Sequence, residues 1–170
     1  MNQFGFSGQS WGKFWGTIMI TRIIIGFVAA VIAVVIVHQP IVAALGLAGV
    51  IPGRGYNLEP LKNAPTIIAT TFQGFGLKGW PILFNLMFWG GLWGALYGAV
   101  LARLPGPTLL KGLLLAALVI VVGGWLLVPL ARGEAPFAGL DMRRMIIGTV
   151  INGPFAIATA YFYNLMRRES

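Results

Sequence analysis

His38 is the only histidine in this chain, and it stands in the tripeptide His38-Gln39-Pro40 at the end of a long apolar run. An imidazole at a membrane border can act as an axial ligand to a haem or chlorophyll-type pigment, or it can relay protons. The structural alternative is an interfacial histidine that caps carbonyls left without donors before Pro40. One histidine cannot supply a pair of axial imidazoles, and the sequence offers no second strong ligand, so the structural role is preferred. Glu59, Glu134 and Asp141 fall on the same side of the membrane as His38 when four spans are counted. Carboxylates beside an imidazole would suit proton transfer or metal-assisted hydrolysis. Nothing in their spacing brings them together, and each has loop arginines nearby, so ion pairs are expected instead.

Inside the apolar runs the polar side chains are few: Asn85, Thr149, Asn152, Thr159 and Asn164. Asn85 and Asn152 sit at similar depths, where they would either bond across helices or line a small polar path with Thr159. No charged residue lies deep in any run. Ion-coupled transporters and proton pumps normally carry such residues, so a pump is disfavoured. No phosphate loop, dinucleotide fingerprint, zinc motif or nucleophile elbow is present. The chain has no cysteine, which removes disulfides, thiolate metal sites and cysteine nucleophiles. No catalytic residue and no metal site is expected.

The elements that would hold these groups follow from hydropathy. Of 170 residues, 58% are hydrophobic and only 9% charged, too few charges to coat a soluble domain of this size. Four runs reach the ~20 residues a bilayer core requires: 17–37, 81–102, 109–130 and 145–166. The length of the first marks it as a retained anchor and not a cleaved signal peptide. Before it, Trp11, Trp15 and Ile18 at helical spacing predict an N-terminal interfacial helix. Residues 41–51 are apolar but too short to span, which predicts a long and partly re-entrant first loop. The expected fold is a single transmembrane domain, an all-α four-helix bundle.

The formal net charge of +8 places bases at the ends of apolar runs, where anionic headgroups meet them; nucleic acid is the weaker partner. Lys13, Arg22, Arg103, Lys111, Arg167 and Arg168 lie on one side. Arg54, Lys62, Lys78, Arg132, Arg143 and Arg144 lie on the other, a tie by the positive-inside count. The compact turn 103–108 resembles a cytoplasmic one, so N-in/C-in is favoured.

Residues 81–102 repeat a small residue every fourth position: Gly90, Gly94, Gly98 and Ala102. In lipid, where apolar contact alone drives little association, such a row lets backbones approach closely. The fourth run carries Thr149, Asn152, Ala156, Thr159, Ala160 and Tyr163 on one face, and the glycine row is expected to pack there. The aromatic flank of residues 84–93 would then be left for a partner.

The His38-x-Pro40 element, Tyr56 and Pro60 in the first loop, and Phe-Trp-Gly-Gly-Leu-Trp-Gly at 88–94 resemble a group of small bacterial four-span inner-membrane proteins. The resemblance covers most of the chain and implies a bacterial inner membrane. It implies no activity and transfers no site residue. Missing catalytic motifs and abundant docking surfaces together point to an accessory subunit of a larger energy-converting membrane complex. The alternatives are a small transporter lined by Asn and Thr, or a pigment- or haem-binding protein using His38.

Overall fold

A backbone in hydrocarbon must satisfy its own N–H and C=O groups, and continuous helices do so. The computed structural model describes residues 8–52, 55–58, 80–131 and 133–168. Four helical stretches are long and apolar enough to cross a bilayer: Gly16–Leu47, Ile82–Arg103, Thr108–Leu130 and Met142–Arg167. The chain is a multi-pass membrane protein folded as an all-α four-helix bundle.

The first span is α1 (Gly8–Ala33), a π-helical turn (Val34–His38) and α2 (Gln39–Leu47), joined without a break. The second is α3 (Ile82–Ala99), closed by a 3-10 turn at Leu101–Arg103. The third is α4 (Thr108–Ala117), a π-helical segment (Leu118–Leu127) and α5 (Val128–Ala131). A 3-10 turn at Pro136–Leu140 precedes the fourth, α6 (Met142–Arg168), which runs through Pro154.

The first span corrects one sequence expectation. Residues 41–47 are not a re-entrant segment but the last turns of the first helix, which continues through Pro40. The amide of Gln39 reaches back to the Val34 carbonyl, one residue further than an α-helix allows. That wider turn accommodates the proline ring, which would otherwise collide with a carbonyl four residues back. The helix ends in a Schellman closure: Gly49 takes φ +68°, and the Val50 amide donates to the Leu45 carbonyl at 2.9 Å. At the other end, helix begins at Gly8 and runs straight into the span, as the helical spacing of Trp11, Trp15 and Ile18 predicts.

The glycine row of α3 packs backbone to backbone on the first span, and meets the fourth only through the rings of Phe155 at Gly90 and Tyr163 at Gly98. A Cβ on Gly94 would lie 2.1 Å from the Gly26 carbonyl oxygen, and one on Gly26 equally close to that of Gly94. A Cβ on Gly98 would meet the Arg22 oxygen at the same 2.1 Å. Gly90 lies under Val34 and Gly91 under the Phe27 ring. The matching row on the first span is Gly26 and Ala30, with Ala29 and Ala33 buried beside it. Ala102, the last member of the α3 row, is buried in the 3-10 turn, where its carbonyl accepts from Lys111 Nζ at 3.3 Å.

The small face of α6 serves two other neighbours. Ala156, Thr159, Ala160 and Tyr163 are buried, and Gly112 of α4 comes close to Ile157 and Ala160. The first span also packs against α6. Between the second and third spans the gap is filled by a side chain: Trp93 lies over Gly123. Trp93 is therefore internal and not part of an outer aromatic flank.

Candidate functional site: the polar cluster at His38 and the neighbouring cavity

The π turn determines the polar chemistry at the His38 end of the bundle. In its register the Val35 carbonyl looks five residues ahead for a donor, and residue 40 is proline, which has none. Tyr56 supplies the donor, its Oη bonding to the Val35 oxygen at 2.9 Å. Gln39, only 2% exposed, accepts the Tyr56 amide on Oε1 at 2.7 Å. Gly55 fits where a Cβ would lie 2.5 Å from the Gln39 carbonyl oxygen. Tyr56 holds the left-handed φ of +57°, an unfavourable state for tyrosine that these two bonds fix in place. The Asn57 carbonyl then accepts from the Leu83 amide at 2.9 Å, so the same short segment ties the first span to the start of the second.

These bonds also assign the His38 ring. A backbone amide can only donate, so the Gln39 atom facing Tyr56 is the oxygen and Nε2 is its donor. That Nε2 lies 3.2 Å from His38 Nδ1. Nδ1 is therefore the acceptor, and the neutral ring carries its proton on Nε2. In that tautomer neither nitrogen has a free lone pair for a metal while the Gln39 contact stands. The ring also meets Phe155 of α6 edge-on, with centroids 6.0 Å apart.

The other expected polar residues are not brought together. Asn85 is buried and donates to the Trp80 and Pro81 carbonyls at 3.3 and 3.4 Å, holding the first turn of α3. Asn152 donates to the Gly148 carbonyl at 2.9 Å, and Thr159 to that of Phe155 at 2.9 Å, each within α6. Asn164 bonds to the Thr108 hydroxyl across the third and fourth spans. Glu59 lies outside the described residues. Glu134 pairs with Arg144 at 2.8 Å, and Asp141 caps α6 by accepting the Arg144 amide at 3.1 Å. Among the described residues, no group of three His, Asp or Glu stands close enough to hold a metal ion.

Two features were not anticipated from sequence. Tyr97 and Tyr163 are fully buried in an edge-to-face pair, centroids 5.2 Å apart, and neither hydroxyl has a hydrogen-bond partner among the described residues. The second feature is a cavity of about 700 Å³ between the third and fourth spans, bordered by Val50, Ile51 and Pro52. Trp125 and Asn152 line it, with Glu134, Asp141, Arg143 and Arg144 at its polar end. The signal for it in the sequence is the placing of Gly124 and Gly148 near the charged residues of the third loop.

Comparison with protein-family models, with curated proteins and with solved structures finds no match to this chain.

Proposed function

We propose that this chain is a non-catalytic accessory subunit of a larger bacterial membrane complex, of the energy-converting (respiratory or photosynthetic) kind. In this reading it sits in the inner membrane with both termini in the cytoplasm and needs no cofactor. The observation that carries the proposal is how the buried polar groups are used. Gln39, Asn85 and Thr159 are each bonded to backbone within the bundle. Polar side chains engaged in this way consolidate helices. Opposite the glycine row, α3 turns Phe84, Leu92, Leu96 and Val100 outward, an apolar surface open to lipid or to another subunit.

The decisive experiment is isolation from native membranes in mild detergent. Co-migration with stoichiometric membrane partners is expected; an 18.3 kDa species without partners would remove the proposal. Two alternatives draw less support. The transporter reading needs Asn85, Asn152 and Thr159 on one path, and liposome flux abolished by Asn152→Leu would revive it. The pigment reading needs a free His38 nitrogen, and an absorption band lost in His38→Ala would revive that.

A further inference from the structure

The cavity between the third and fourth spans is amphipathic along its depth. Its polar end is at the start of α6, where Asp141, Arg143 and Arg144 face Glu134 of the preceding loop. Its deep end is at Asn152, ten residues past Met142 and so about 15 Å down the helix axis. Between them the walls are Val128, Ile147 and Ile151.

Glycine builds this space without using it for packing. A Cβ on Gly148 would meet nothing within 4 Å, and one on Gly124 nothing nearer than 3.7 Å. In a helix interior glycine is unfavourable relative to alanine, and at Gly94 close backbone approach explains it. At Gly124 and Gly148 there is no such approach; the missing side chains leave the cavity clear. The π-helical stretch Leu118–Leu127, which contains Gly124, forms that wall.

The donors around the cavity are incompletely matched. Arg144 is paired with Glu134, but Arg143 donates through Nη2 to the Val50 carbonyl at 2.8 Å and has no carboxylate partner among the described residues. A guanidinium carries five N–H donors, so charge and donors remain at the mouth. Lower down, Trp125 lines the wall, its indole N–H shielded from the cavity and without an acceptor among the described residues. Moving inward, the sequence of demands is therefore an anion, then hydrocarbon.

We propose that this cavity seats one glycerophospholipid. The phosphate lies against Arg143 and Arg144, and an acyl chain follows Val128, Ile147 and Ile151 toward Asn152. A volume of about 700 Å³ is in the range of specific ligand sites and takes the headgroup, glycerol and upper chain. A soluble phosphate would satisfy the mouth and leave the apolar wall empty, whereas a neutral diacylglycerol would leave Arg143 unmatched.

Native mass spectrometry of the delipidated protein in mild detergent tests this with three probes: dioctanoyl phosphatidylglycerol, glycerol 3-phosphate and dioctanoylglycerol. A one-to-one adduct is expected with the phospholipid alone. Gly148→Leu starts where a Cβ meets nothing within 4 Å, projects into the cavity, and should weaken that adduct at least about tenfold, the scale of one well-made set of contacts. Arg143→Gln, at the exposed mouth, should weaken it several-fold with helicity unchanged. Undiminished phospholipid binding in both variants, or equal binding of glycerol 3-phosphate, would overturn the proposal.

Discussion

At the scale of the residue, the deciding contacts are glycine against carbonyl. Because a Cβ on Gly94 would overlap the Gly26 oxygen, Gly94→Ala must push two helices apart. Overpacking of this kind costs about 1–3 kcal/mol. The midpoint of detergent-induced unfolding should fall accordingly. Gly148→Ala makes the same chemical change where nothing lies within 4 Å, and it should leave that midpoint unchanged or raised. Equal losses from the two alanines would contradict the packing described. Gly26→Ala combined with Gly94→Ala should cost less than the sum of the two, since one separation relieves both overlaps.

At the scale of the element, the π turn and Pro40 act as a unit with Tyr56. Tyr56→Phe removes the only donor described for the Val35 carbonyl and should cost about 0.5–1.5 kcal/mol. Pro40→Ala returns an amide to residue 40, so Tyr56→Phe should cost much less in that background. A double-mutant cycle measures the coupling, and strict additivity would show that the Val35 bond does not depend on the proline. The four spans were legible in the sequence because hydropathy reports solvent, and membrane helices are apolar throughout. For the same reason their facing sides were not legible. Gly26, Ala29, Ala30 and Ala33 sit in a run whose lipid side is as apolar as its buried side, so no period distinguishes them. Pro40 read as a stop because the proline rule assumes α register. Gln39 and Tyr56 are seventeen residues apart and joined by one bond that no local pattern encodes.

At the scale of the whole molecule, the four helices follow in order around the bundle, with backbone contact at two seams and a tryptophan at a third. Spans one and two touch through Gly26 and Gly94, and spans three and four through Gly112 and Ile157. Spans two and three meet where Trp93 covers Gly123. Among the described residues, Arg22, Arg103, Lys111 and Arg167 lie on the side of the second loop. Arg143 and Arg144 share the opposite side with Glu134 and Asp141. Over the whole sequence the bases tie at six a side, so the proposed N-in/C-in orientation rests on the compact second turn, 103–108. The absence of native cysteine allows a direct check in intact cells, using an impermeant thiol reagent on single-cysteine variants. Ala135→Cys should label and Leu104→Cys should not, and the reverse pattern would invert the topology. The bundle class was readable from the sequence at this scale, and the cavity was not, because it arises from helix register and the places where side chains are missing.

The glycine seam also limits how this protein can tolerate genetic change. A side chain that clashes with another side chain can be accommodated by trimming the second one. At Gly94 and Gly98 the obstructing atoms are the carbonyl oxygens of Gly26 and Arg22, which every amino acid carries. No substitution at the facing position removes them. Suppressors of a lost glycine should therefore arise away from the point of contact, where they alter the tilt or rotation of a whole helix.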